Sequence, residues 1–257
     1  MLSFNQQALK ELKRCKEIID ANVPKGIRDD LWFAGLSPKV WFNKFETLWD
    51  IPKLPDKRFN RSELLEFIQP FRGKNEVDEI TIRKLIISVF AWGGMRLSPK
   101  VGQLAINTIE SYEKICLRLL SGELDSISAY DEFYKQKELR KMRGIGPAFY
   151  TKLIFFFGNQ TGVIMDQWTA RSTNLLLDGS VVKLNSTKCV DPKNRQQVYA
   201  NYLEFISELK TILSIESVSK TEELIFSCSH IHPTVINRLG KHHQACSAWR
   251  KYVAENT

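Results

Sequence analysis

Two stretches of this chain carry residues whose types and spacing suit chemistry. The first is Arg143-Gly144-Ile145-Gly146-Pro147, a glycine hairpin between two apolar helical runs. Glycine takes φ > 0 and lets the backbone come close to another molecule. Proline suits the first position of the next helix, where its missing N–H costs nothing. Together they aim backbone N–H groups and a helix N-terminus at one point outside the chain, a place for an anion. Lys135, Lys137, Arg140, Lys141 and Arg143 lead into the turn, so the expected anion is a nucleic-acid phosphate. The second stretch is Val163-Ile164-Met165-Asp166-Gln167-Trp168, with Asp166 twenty residues beyond Gly146. An Asp that opens a helix caps it, and the helix dipole favours its anionic form. A cap and a chemical role are compatible.

Hairpin, helix and apolar-flanked Asp, in that order and spacing, resemble the helix-hairpin-helix DNA glycosylases. Leu139, Gly144, Ile145 and Gly146 match the hairpin that grips the DNA backbone in that family. The resemblance implies DNA binding by Arg140, Lys141, Arg143, Gly144, Ile145, Gly146 and Ala148, and catalysis by Asp166. A target base must first leave the stack. As its N-glycosidic bond breaks, the sugar gains oxocarbenium character, which a nearby carboxylate stabilises or answers by activating water. Members that also cut the strand carry a Lys two residues after the second hairpin glycine, where it forms a Schiff base. Ala148 stands there, which implies a monofunctional enzyme that leaves an abasic site. Lys152, one helical turn later on the same face, either reaches the pocket or is a solvated or phosphate-facing charge.

Glycosylases of this class resemble the present chain in placing a lesion-side loop at Trp92-Gly93-Gly94-Met95, which together with Trp168 implies a base pocket. The residues themselves leave alternatives open. Trp92 to Met95 also suits a glycine C-cap over a buried Trp, Trp168 suits core packing, and Arg171 suits a phosphate or a solvated face. The implied partner is double-stranded DNA with a damaged or modified base, bound by a monomer without a cofactor and away from membranes. The likeness is to compact bacterial and archaeal proteins resembling oxoguanine glycosylases, which places the chain in a prokaryotic cytoplasm, at the nucleoid. Four closely spaced C-terminal cysteines, which hold an iron–sulfur cluster in several relatives, are absent from this sequence. Two rival readings stand beside this one. One is excision of a hypermodified viral base by a defence enzyme; the other is a helix-hairpin-helix protein that binds DNA structures without catalysis.

Composition sets the outer limits. At 257 residues, 43% hydrophobic and 26% charged, the chain suits one large or two small globular lobes. Its longest apolar run is far too short to cross a bilayer. Five scattered cysteines suit a reducing compartment. A net charge of +8 and a pI near 9.2 favour a polyanionic partner. All four histidines lie in one segment with Cys228, His230, His232, His242, His243 and Cys246. Cys228, His232, His242 and Cys246 are weak zinc candidates, because their spacing matches no known finger.

Periodicity predicts an all-α protein, and the resemblance implies two helical lobes around a DNA-binding cleft, lobe A over 1–75 and 194–257 and lobe B over 78–177, with the hairpin at 143–147. Phe4, Ala8, Leu9, Leu12, Cys15 and Ile19 form the first face, closed by Pro24 and Gly26. Ser37-Pro38 opens a helix with Val40, Trp41, Phe45, Leu48 and Trp49 behind it, and Trp32 and Phe33 also read as core. Glu63 to Ile68 reads as a short helix stopped by Pro70. Asp78 caps a helix burying Ile82, Leu85, Ile86, Val89 and Phe90. Val101 to Leu120 reads as one long helix, and Ser126 as the cap of the next, which carries Ile127, Tyr130 and Phe133. Residues 178–193 read as a loop, with Val181 to Leu184 as an alternative short strand. The resemblance implies that an insertion here lies beside the DNA. Val198, Tyr202, Phe205, Ile206, Leu209 and Ile212 line a later helix, followed by helices over 220–227 and 233–253.

Overall fold

The computed structural model describes residues 2–22, 35–45, 51, 53–94, 99–158, 161–226 and 241–257, the side chains at 22, 99–100 and 241–247 excepted. Among them the fold is all-α, with twelve α-helices, one 3-10 turn and no strand. The chain divides into two units: a central one, Ala34–Ile164, and a discontinuous one, Met1–Phe33 with Met165–Thr257. These limits differ from those of the lobes expected from the sequence.

Helix α1 (Gln6–Asn22) belongs to the discontinuous unit, and the central unit opens with α2 (Pro38–Phe42) and α3 (Arg61–Ile68). Ser37 caps α2, and an Asn60–Glu63 capping box opens α3, two residues earlier than the apolar pattern predicts. Pro70 lies in a 3-10 turn, Gln69–Phe71, that extends α3. Asp78 caps α4 (Glu79–Trp92) as expected. Every residue of α4 from Leu85 to Trp92 is buried, as is every residue from Tyr150 to Phe157 of α8 (Pro147–Phe157). Helices apolar all round belong inside a core. Phe90 of α4 meets Trp41 and Phe149, and also Tyr112 of α6 (Glu110–Ser121).

The predicted helix over 101–120 is in fact two, α5 (Pro99–Asn107) and α6. At the junction the backbone tightens to i→i−3 bonds, Ile109 to Ile106 and Ser111 to Thr108. The Thr108 hydroxyl is taken up by the hairpin 35 residues away, a demand periodicity does not register. Asp125, not Ser126, caps α7 (Ser126–Glu138), accepting from the amides of Ile127 and Ser128. Val40 is 47% exposed because α2 ends at Phe42, and Ile127 is only half-buried.

In the discontinuous unit, α9 (Gln167–Leu176) packs against α1, α11 (Val218–Phe226) and α12 (Lys241–Asn256). Ser172 Oγ donates to the Ile225 carbonyl at 2.8 Å and accepts from Trp249 Nε1 at 3.0 Å; the Asn5 amide donates to the Leu176 carbonyl. The apolar face of α1 is buried as predicted, with Phe4 stacked on Phe205. On α10 (Gln196–Ile212), Tyr202, Phe205, Ile206 and Leu209 are buried as expected. Tyr199 is also buried, whereas Val198 is half-buried and Ile212 is 37% exposed. Residues 181–184 form no strand; a single antiparallel bridge joins Leu184 to Val190. Pro24, Gly26, Trp32, Phe33, Leu48, Trp49, Met95, Cys228, His230 and His232 lie outside the described residues, as do the side chains of His242, His243 and Cys246.

Candidate active site and nucleic-acid interface

The hairpin begins where α7 ends. The amides of Lys141 and Arg140 donate back to the carbonyls of Gln136 and Lys137, with Arg140 in the left-handed region at φ 58°. Ser111 Oγ then donates to the Lys141 carbonyl at 2.7 Å, and the Arg143 amide donates to Thr108 Oγ1 at 3.1 Å. Met142 and Ile145 point into the core. The two glycines serve different needs. Gly144 has φ +76°, and a Cβ there would lie 2.4 Å from the Val101 carbonyl oxygen; around Gly146, whose backbone is extended, a Cβ would meet nothing within 4 Å.

The amides of Ile145, Gly146 and Ala148 donate no hydrogen bond among the described residues, and no side chain caps α8. Unspent N–H groups beside open space, at a helix N-terminus, form a concavity that accepts an anion. Arg140, Lys141 and Arg143 are exposed around it and make no ion pair among the described residues. Lys135 is instead paired with Asp131 at 2.6 Å, and Lys137 lies over the Tyr134 ring.

Asp166 is the N-cap of α9. Its Oδ1 accepts from the amides of Trp168 at 2.8 Å and Thr169 at 3.1 Å, and its own amide donates to Thr169 Oγ1 at 2.9 Å. Oδ2 accepts no hydrogen bond among the described residues, so half of a firmly oriented carboxylate is left over. Thr169 is wholly buried and hydrogen-bonds the Tyr202 hydroxyl. Burial, and then the neighbouring Glu222 carboxylate, push the Tyr202 phenol well above its ordinary value. Sequence reasoning missed Thr169 and Tyr202; the Asp-x-x-Thr spacing was the available signal for the first.

The remaining predicted residues fall in both units, Trp168 and Arg171 in the discontinuous one and Trp92, Gly93 and Lys152 in the central one. Trp168 lies under two guanidiniums, Arg171 at 4.4 Å and Arg250 at 4.1 Å from its ring centroid. Arg171 is 8% exposed and donates to Thr257 Oγ1 and the Val253 carbonyl, so it ties α9 to α12; burial lowers its pKa. Trp92 is buried edge-to-face against Phe156, its indole N–H without an acceptor among the described residues, and Gly93 is the C-cap of α4. Lys152 is buried, not solvated. Its Nζ donates to the Ala148 carbonyl at 3.0 Å and lies 5.3 Å from the Phe149 ring centroid. A Cβ at Gly93 would come within 2.9 Å of Lys152 Cδ, so the glycine leaves room for that side chain. The structure thus brings Gly93, Ala148, Phe149 and Lys152 together in the central unit. Among the described residues no group of His, Cys, Asp or Glu has the arrangement of a metal site.

An all-α protein with an open, basic glycine hairpin and a capped Asp at the head of a helix has the parts of a DNA-handling protein. The family described as "Putative 8-oxoguanine DNA glycosylase OGG-like protein" matches residues 26–226, a span that includes both the hairpin and Asp166. The chain belongs to this family, which makes its activity, at the level of class, that of a DNA glycosylase and its partner DNA. No curated protein and no solved structure matches it.

Proposed function

We propose that this protein excises a damaged base, of the oxidised-guanine class, from double-stranded DNA by hydrolysing its N-glycosidic bond. The observation that carries the reading is Asp166: a carboxylate fixed through Oδ1 by a capping box, with Oδ2 unspent. The hairpin amides and Arg140, Lys141 and Arg143 hold backbone phosphates while the nucleotide is flipped, which costs roughly a few kcal/mol. The C1′–N bond then breaks and its electron pair leaves with the base, which takes up a proton. Asp166 stabilises the cationic sugar, and a water adds to C1′, passing its proton to that carboxylate. The products are a free base and an abasic site. Ala148, at the position of the strand-cutting lysine, supports this monofunctional form.

A second reading rests on the burial of Lys152. An amine held against an aromatic ring and away from water is in the setting where lysine serves as a nucleophile. The neutral Lys152 amine then attacks C1′ as the base departs with the electron pair of the C1′–N bond. The nitrogen loses a proton and the C1′–O4′ bond opens, its oxygen taking up a proton, to give an imine that leads to strand cleavage. One experiment tests both: a panel of end-labelled duplexes, each with one altered base, treated with wild type, Asp166→Asn and Lys152→Gln, with and without alkali or borohydride. Breaks that need alkali and vanish in Asp166→Asn support the hydrolytic reading. A borohydride-trapped protein–DNA adduct that vanishes in Lys152→Gln supports the second. Base release that survives in Asp166→Asn refutes the role assigned to that carboxylate.

A further inference from the structure

We infer that residues 178–195, which join α9 to α10, form a second DNA-phosphate contact surface carried by Lys183, Lys193 and Arg195; the inference rests on the glycosylase reading above. The loop has almost no core of its own, yet it is held in one conformation by side chains. Asn174 brackets Val182, donating to its carbonyl at 2.8 Å and accepting from its amide at 2.9 Å. Asn194, wholly buried, does the same for Lys183 and also donates to the Asp191 carbonyl. The Asp191 amide returns to the Lys183 carbonyl at 2.9 Å, so the backbone of Lys183 lies beside residues 191–194. Asn185 Oδ1 organises the tip by accepting from Thr187 and Cys189, and Lys188 Nζ secures it to the Thr257 carbonyl. Ordering so long a loop costs conformational entropy, and long ordered loops are mostly functional ones.

The charges it presents serve no internal purpose. Lys183, Lys193 and Arg195 are exposed and make no ion pair among the described residues. Some cations on the helices are matched, Lys16 with Asp20, Arg118 with Glu132, Lys39 with Asp56, whereas others, such as Lys10 and Lys13 on α1, make no ion pair among the described residues and serve below as the control. Arg195 is moreover the N-cap of α10, with Lys193 just before it and no acid in the first turn. Cations at that end oppose the helix dipole, where stability favours Asp or Glu. An anion supplied from outside reverses that balance, and a phosphate backbone supplies one every few ångströms. A rigid surface carrying several cations therefore fits duplex DNA, whatever its base sequence.

The test is the salt dependence of binding to an undamaged labelled duplex, which needs no catalysis. In Lys183→Gln/Lys193→Gln/Arg195→Gln, three lost phosphate contacts flatten the slope of log affinity against log salt by about 2.7. Between about 50 and 200 mM salt, wild type then loses about 40-fold more affinity than the variant. All three side chains are exposed and Arg195 opposes the α10 dipole, so the unfolding temperature stays at or slightly above the wild-type value. Lys10→Gln/Lys13→Gln, on the exposed face of α1, leaves the slope unchanged. An unaltered slope in the loop variant, or an equal flattening per charge in the α1 variant, overturns the inference. Arg140→Gln/Lys141→Gln/Arg143→Gln separates the two levels. If it flattens the slope and the loop variant does not, the loop inference alone fails; if neither does, the DNA-binding reading fails with it.

Discussion

Gly144 and Gly146 stand two residues apart in the hairpin, and replacing each by alanine separates folding from binding. At Gly144 the backbone is left-handed, and a Cβ would collide with the Val101 carbonyl oxygen and the Ala105 amide nitrogen at 2.4 and 2.8 Å. Left-handed backbone costs an L-residue about 1–2 kcal/mol, and forcing a methyl into packed atoms costs about 1–3 kcal/mol. Gly144→Ala therefore loses about 2–5 kcal/mol, which at roughly 2–4 °C per kcal/mol for a chain of this size lowers the unfolding temperature by about 4–20 °C. At Gly146 the backbone is extended and the space around it empty. Gly146→Ala keeps or raises stability, by up to about 0.4–1 kcal/mol through the unfolded chain. It instead places a methyl where a phosphate must meet the free amides. Losing one hydrogen bond to a charged group costs about 1.5–3 kcal/mol, so DNA affinity falls about tenfold to a hundredfold. Thermal unfolding and duplex binding, measured on both variants, decide the matter. A Gly144→Ala protein that melts with wild type, or a Gly146→Ala protein that binds with wild-type affinity, refutes the geometry argued for the hairpin.

Asp166→Asn preserves stability within about 0.5 kcal/mol, because Asn caps a helix as well as Asp does, while base release is lost; melting and release assays read the two effects independently. Asn194→Ala strands the backbone groups of Lys183 and Asp191, costs about 1–3 kcal/mol, and exposes the loop to proteolysis between residues 183 and 193. Asp125→Ala removes the cap of α7 at a cost of about 1 kcal/mol. Bonds from the Ser128 amide and hydroxyl, followed by the Ile127 amide, hold the Asp125 carboxyl below its ordinary range, net of opposing burial. Its folded-state pKa is depressed, so its contribution is full above the ordinary carboxylate value and is lost as pH falls through the folded one. The gap in unfolding temperature between wild type and this variant therefore closes on acidification below about pH 4.

Much of this protein is legible in one dimension because its decisive signals are local. Helix existence follows from apolar spacing, and caps such as Ser37, Asp78 and Asp166 precede their helices by one residue. The hairpin needs only glycines in the right order, since φ > 0 at Gly144 is a property of a few bonds. Family membership, too, is a property of residue order. Tertiary structure decided whatever depended on distant partners. The break between α5 and α6 exists because Thr108 Oγ1 is claimed by Arg143, and Gly144 is pressed against Val101. Lys152 is buried because α8 is surrounded on all sides, although its spacing alone suits a solvated face. Trp168 lies under Arg171, three residues on, and under Arg250, some eighty residues on. Thr169 and Tyr202 brace Asp166 from two helices. Short-range backbone preference is written in neighbouring residues, whereas burial and side-chain partnership arise only when segments far apart in the chain are packed together.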